Sequence, residues 1–346
     1  MRTRRLSMLV SLGLVSALLA GVCAGSARAG GVVFFIDAQH GWESTWDGSS
    51  DLSTAQATAW RTVNGGASWK QLATRSAAYN GGTLWGGFFA FATRSTGIWV
   101  RASHTVLRTT NAGASWHSVG WVAQTWLNDA SFATSRVGWA CSEVGSAGEG
   151  GSIAKTSNAG ATWHIQKRIG GSNAHAAFWQ VSCPTALSCY VRGWVYDHGT
   201  SLTCVWATAD GGKHWARRRL PSGVASIDFP TATSGWAVGH GGVMYATTNG
   251  GRTWRFVHSG TGADLSSISF CNSQVGYAVG ASGTVLRTTD AGATWAALSG
   301  PDLYGSDVSA VTCVDSTHTW VIDNDGYVYA TSDGGHTWES NWVYPD

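Results

Sequence analysis

The sequence predicts an all-β fold, a seven-bladed β-propeller of four-stranded antiparallel blades with seven Asp-box turns. Three observations carry that prediction. One nine-residue turn recurs as RTVNGGASW, RTTNAGASW, KTSNAGATW, ATADGGKHW, ATTNGGRTW, RTTDAGATW and ATSDGGHTW, ending at Trp69, Trp116, Trp163, Trp215, Trp254, Trp295 and Trp338. Those tryptophans advance by 47, 47, 52, 39, 41 and 43 residues, a spacing that marks stacked or radially arranged repeats. Between them lie short runs rich in β-branched and aromatic residues, and no span after residue 29 has helical periodicity.

Each blade is justified run by run. A first run, such as SIDF or SISF, leads through a short turn to Gly plus an aromatic, as in GWAVG at 235–239 and GYAVG at 276–280. A third run, such as GTVLRTT, enters the repeated turn, and a fourth, such as TWRFVH, leaves it. Four antiparallel strands repeated in this way close into a ring whose edges are short and protected. Blade one begins near Val32 and blade seven ends within TWESNWVYP. The chain thus starts on an innermost strand and finishes on an outermost one, so packing alone is expected to join the first and last blades.

Arg2, Arg4 and Arg5 precede the apolar run LSMLVSLGLVSALLAGVCA, and Ala27-Arg28-Ala29 offers an A-x-A cleavage site. Residues 1–29 read as a secretory signal peptide and 30–346 as the propeller. No later run approaches the ~20 apolar residues of a membrane span. The expected mature protein is exported, secreted or envelope-associated, and monomeric, with no transmembrane segment. Of 22 Lys+Arg, four lie in 1–29 with no acid, leaving 18 against 20 Asp+Glu. That near-neutral balance gives no pull toward nucleic acid.

Six cysteines remain once Cys23 leaves, an even count compatible with disulfides in an exported protein. CPTALSC places Cys183 and Cys189 to clip a short loop. The other pairings stay open, Cys271–Cys313 with Cys141–Cys204 being one combination. No paired C-x-x-C or His cluster marks a metal site, and no motif implies a cofactor.

The third position of the turn is Asn64, Asn111, Asn158 and Asn249 but Asp210, Asp290 and Asp333. Asn caps a turn as well as Asp but cannot be a general acid or a nucleophile. The position therefore requires an acceptor rather than a charge, and the turn builds the ring. Its closing tryptophans, with Trp42, Trp99, Trp139, Trp236 and Trp320 at the Gly-aromatic or equivalent position, are expected to pack the blades. Trp46, Trp85, Trp121, Trp126, Trp179 and Trp194 fall outside that register and are candidates to stack on a sugar or anchor a partner.

Topology puts the repeated turns on one face and the second-to-third-strand loops on the other. The latter face is expected to hold any ligand site, with Glu43, Trp46, Asp47, Glu143, Glu149, Tyr196, Asp197, His198, His240, Asp323 and Asp325. Of these, Glu143, Tyr196, His198 and His240 are the candidate partner-binding residues. DNDG lacks the remaining ligands of a calcium loop and reads as a hairpin turn. A basic stripe, Lys167, Arg168, Arg217, Arg218, Arg219, Arg252 and Arg255, falls on or beside the outer strands of blades three to five. It suits an acidic protein or cell-envelope polymer.

The turn matches the Asp-box, or BNR repeat, S-x-D-x-G-x-T-W. Blades such as GWAVGHGGVMYATTNGGRTW resemble the photosystem II stability/assembly factor family over essentially the whole chain after residue 29. That resemblance implies a non-enzymatic scaffold for other polypeptides, and it does not imply photosynthesis. A second resemblance is to sialidases, which together with other Asp-box glycosidases suggest the alternative of carbohydrate binding or hydrolysis at the cell surface. Glycoside hydrolysis generally needs two placed carboxyl groups. Only Glu43, Glu143, Glu149 and Glu339 are glutamates here, and no RIP-type arginine motif occurs near the N-terminus.

Overall fold

In the computed structural model, residues 32–46, 56–76, 87–100, 105–120, 127–143, 150–170, 174–197, 200–299, 306–324 and 327–341 are described. They form seven four-stranded antiparallel sheets, each built from four consecutive strands. The signal-peptide expectation and those for Asp47, Trp85, Trp121, Trp126, Glu149, His198 and Asp325 lie outside the described residues. The first strand of each blade is innermost: Val32–Phe35, Phe88–Phe91, Leu127–Phe132, Ala174–Ser182, Val224–Asp228, Leu265–Phe270 and Val308–Cys313. Among the described residues, no strand is shared between the first and last blades. Side-chain packing joins blades one and seven among these residues. Phe35 stacks on Trp320 with centroids 3.7 Å apart, and Val33, Trp60, Ile322 and Val328 complete the seam.

The repeated turn has one hydrogen-bond plan. A Thr hydroxyl two residues before the Asn or Asp donates to its Oδ1 at 2.8–3.0 Å. That Oδ1 also accepts the amide four residues on, at 2.9–3.0 Å. Asn64, Asn111, Asn158 and Asn249 donate through Nδ2 to the Ser or Thr hydroxyl at that position. Asp290 and Asp333 instead accept from it, at 2.6 Å. A hydroxyl can donate or accept, so the turn tolerates either residue. In Asp290 the Thr294 hydroxyl, followed by the Thr294 amide, holds the carboxyl down at about 2.

Two motifs that the sequence shows separately meet as one joint. The large side chain of each second strand docks on the next blade's turn. Trp42 Nε1 donates to Ala112 O at 3.1 Å, and Trp320 Nε1 to Gly65 O at 3.0 Å. Trp139, Tyr190, Trp236 and Tyr277 lie against Gly212, Gly250, Gly292 and Gly335. In blade two Ile98 fills this position against Gly160. Trp99 is one residue out of the expected register; it faces blade one, where its Nε1 donates to Ser44 Oγ at 3.2 Å. Basic side chains add to the joint: Arg108 Nε reaches Ala159 O at 2.8 Å, and Lys155 Nζ reaches Gly211 O at 2.6 Å.

The glycine opening the second strand has its own cause. A Cβ on Gly41, Gly97, Gly138, Gly235 or Gly276 would strike the ring of Phe35, Phe91, Phe132, Phe229 or Phe270. In blade four the Cys183–Cys189 disulfide occupies this Phe–Gly position. Cys271–Cys313 staples the inner strands of blades six and seven, where the ring converges and Cα atoms are 4.9 Å apart. The Cys141–Cys204 alternative is corrected. Both are buried thiols in the apolar cluster between blades three and four. Packed sheets stand about 10 Å apart, beyond the ~7 Å Cα reach of a disulfide. Burial pushes the Cys204 thiol up to about 11.

Adjacent residues of one turn should respond oppositely to substitution. Ala291 has φ +58°, so Ala291→Gly relieves a left-handed alanine and should add about 0.5–1 kcal/mol, net of the unfolded chain's gain in freedom. A Cβ on Gly292 would lie 2.1 Å from Trp236 Cζ2, so Gly292→Ala should cost about 2–3 kcal/mol. Denaturant unfolding of the two variants measures both signs.

Candidate functional site

The inner strands enclose a channel of about 300 Å³ along the ring axis. Five of them share a pattern: LNDASF at 127–132, FWQVSC at 178–183, VASIDF at 224–229, LSSISF at 265–270 and VSAVTC at 308–313. Inner-edge amides lack a further strand and need other acceptors. The polar third and fifth positions of one blade supply them to the next. Asp129 Oδ2 accepts Val181 N at 2.7 Å, Gln180 Oε1 accepts Ile227 N at 2.9 Å, and Ser267 Oγ accepts Val311 N at 3.4 Å. Ser182 Oγ accepts Phe229 N at 3.0 Å, Asp228 Oδ2 accepts Phe270 N at 2.8 Å, and Ser269 Oγ accepts Cys313 N at 3.2 Å. Burial pushes the Asp228 carboxyl up to about 6 against these donors. In blades one and two, Phe34, Phe88 and Ala90 line the same channel and offer no acceptor. The channel thus has one polar and one aromatic wall. The signal for it was the polar alternation of the first run, which reasoning centred on the turns passed over.

At the face opposite the turns, blades three and four form a small constellation. Ladder registers skip Asn128 and Trp179, and a bulged residue is re-aimed relative to its neighbours. Burial raises the pKa of half-buried Glu143, opposed by hydrogen bonds with the Asn128 and Trp179 side chains. The guanidinium of Arg192 lies 5.3 Å from the Trp179 ring, and its Nε donates to Gln180 Oε1 at 3.4 Å. Glu143, Tyr196 and His240 share this face in blades three, four and five, each with its own surroundings. Tyr196 is 37% exposed. His240 Nδ1 lies 3.0 Å from Asp264 Oδ2, and Gly241 N donates to Asp264 Oδ1 at 2.6 Å, tying blade five to blade six.

Glu43 is corrected: it lies inside the second strand of blade one, Gly41–Trp46, and is 1% exposed rather than part of a loop. Asp323 is likewise buried, accepting Tyr327 N at 2.8 Å and Tyr329 Oη at 3.2 Å. Trp194 is half-buried.

The basic residues occupy the outer rim. Lys167 and Arg168 sit on His164–Ile169, Arg217, Arg218 and Arg219 on Ala216–Arg219, and Arg255 on Arg255–Val257. Lys167 Nζ lies 5.1 Å from the Trp206 ring, and Arg217 is opposite Trp206 in the ladder. Arg168, Arg217, Arg219 and Arg255 are exposed, with Phe256 beside them 57% exposed. Arg218 and Arg252 contact backbone carbonyls. Arg218 turns to the next blade and donates to Gly250 O, and Arg252 donates to Asn249 O at 3.2 Å within its own turn.

Ring, turns and joints define a BNR-type seven-bladed propeller. Among such proteins the chain resembles the photosystem II assembly factors. The family model described as photosynthesis system II assembly factor YCF48 matches residues 219–343. A solved structure titled YCF48 bound to D1 peptide shares 14% identity at a TM-score of 0.60, covering 90% of this chain and 97% of that one. YCF48 from Cyanidioschyzon merolae shares 15% at 0.61, covering 88% and 95%. The GH74 xyloglucanase from Xanthomonas campestris shares 17% at 0.57; the match covers 91% of this chain and 53% of the enzyme. At these identities the likeness shows the fold. No curated protein matched by sequence.

Asp228 tests the channel belt. Its carboxylate accepts Ser182 Oγ and Phe229 N on one oxygen and Phe270 N on the other. Asp228→Asn presents an NH2 group to one of these donors and should lose about 1–3 kcal/mol. Denaturant unfolding measures the loss.

Proposed function

We propose that this protein is an exported, non-catalytic scaffold that holds another polypeptide, engaging its acidic side chains at the outer rim of blades three to five. The observation that carries this reading is the outer-strand set Lys167, Arg168, Arg217, Arg219 and Arg255, whose three strands contain no Asp or Glu. On a nearly neutral chain, such a concentration of one sign attracts an oppositely charged partner. Exposed Phe256 adds an apolar anchor, and the outer strands carry backbone groups that a partner strand can pair with. The YCF48 structure with a bound peptide is a propeller of this shape that holds a polypeptide, which supports the same use here. The test is capture of partners from the native envelope, followed by affinity measurement with the captured protein. Arg217→Glu with Arg219→Glu and Arg255→Glu should weaken binding at least about tenfold, and salt should weaken the wild type likewise. Undiminished binding by that variant would sink the rim assignment.

One observation favours a glycan-directed second reading. Glu143 is a half-buried carboxyl of raised pKa beside an indole, the pairing of acid and stacking platform that sugar chemistry uses. The purified protein is to be assayed on xyloglucan, sialosides and glucosides. The scaffold reading expects no turnover; turnover abolished by Glu143→Gln would replace it with a glycosidase.

A further inference from the structure

The second strand of every blade carries, two or so residues after its opening, a side chain facing the preceding blade. Around the ring that residue is Glu43, Trp99, Ala140, Val191, Ala237, Ala278 and Val321. The last six belong to the apolar clusters between their blade and the one before. Blade one alone places a carboxyl there. Its orientation follows from strand alternation. Trp42 and Ser44 engage blade two, so Glu43 and Thr45 point toward blade seven. Ladder partners Val33 and Trp60 both lie in the blade seven–one cluster.

Glu43 therefore sits in the seam where the ring closes. It is 1% exposed, and its Oε2 has no hydrogen-bond partner. Around it from blade one stand Val33, Phe35, Trp60 and Thr45, whose hydroxyl is taken by Trp60 Nε1 at 2.9 Å. From blade seven come Trp320, Ile322 and Val328. The titratable groups nearest the seam are at its margins. His318 stacks near Trp320 with its Nδ1 on Asp315, and Glu339 is exposed on the outer strand. Arg61 lies over Trp42 on the blade-two side, and Asp323 turns to Tyr329 on the blade-six side. Among the described residues, these positions put no cation against Glu43.

We propose that Glu43 makes ring closure pH-gated: the neutral carboxyl completes an apolar seam, and the ionised one loosens blade one from blade seven. A buried, unpaired carboxylate is strongly disfavoured, and this seam has neither a shared strand nor a disulfide among the described residues to resist opening. Burial holds the Glu43 carboxyl well above its ordinary value. A folded-state value raised in this way gives a contribution that is complete below the unfolded value and lost as pH rises toward the folded one. Inside that window each pH unit multiplies the open fraction about tenfold.

Hydrogen exchange of the full chain at about pH 5 and about pH 8, corrected for intrinsic rates, tests the gate. In the wild type, peptides 32–46 and 319–331 should exchange at least about tenfold faster at the higher pH, relative to peptide 224–257 of blade five. Glu43→Gln, neutral and of the same shape, should abolish that pH dependence, as should Glu43→Ala, which copies blades three, five and six. The proposal is overturned if the wild-type seam does not respond to pH relative to blade five, or if both variants keep the response.

Discussion

The joint between a second-strand side chain and the next blade's turn is the contact on which the ring depends. A four-stranded blade cannot bury both faces alone, so it needs a neighbour held at one angle. Trp42, Ile98, Trp139, Tyr190, Trp236, Tyr277 and Trp320 supply that angle by seating on left-handed glycines or their carbonyls. The turn itself varies between Asn and Asp yet keeps its second glycine. The Asx side chain only needs to accept from an amide and share a hydrogen bond with a hydroxyl. The second glycine takes a positive φ in every copy, and Gly113, Gly212 and Gly292 also leave room for an indole from the preceding blade.

The inner strands solve a different problem with the same neighbour-to-neighbour logic. Their amides have no strand beyond them, and the polar residues of blades three to six satisfy the next blade's edge. In blades one and two, aromatic rings take those positions, with Phe34 stacked near Phe91 at 5.9 Å. Axis and joints are thus committed to holding the ring. What remains free to vary is the outer rim and the loop face, where exposed cations, Phe256 and Tyr196 are found.

Much of the architecture was legible in the residues because the turn is local chemistry. Thr, Asx and Gly within five residues form it without help from elsewhere, so counting turns counts blades. Errors arose where one residue of register decides a side chain's destination. Gly97-Ile98-Trp99 puts the aromatic one place late, and Trp99 therefore faces blade one instead of blade three. Arg218 differs from Arg217 and Arg219 for the same reason, since alternation sends it to the turn of blade five. Trp179 escaped any register because a bulge removes it from the ladder.

Blade number, strand order, the tolerance of the turn for Asn, and the Cys183–Cys189 clip were all readable along the chain, since each depends on residues close in sequence. Which blade a given side chain meets became known once the ring was closed, because that depends on strand phase and on partners dozens to hundreds of residues away. Trp320 on Gly65, Cys271 on Cys313 and Asp228 beneath Phe270 are contacts of that kind. Glu43 is the sharpest instance: in sequence it opens a polar stretch that looks like a surface loop, and in the folded ring its strand phase and the distant arrival of blade seven seal it into an apolar seam.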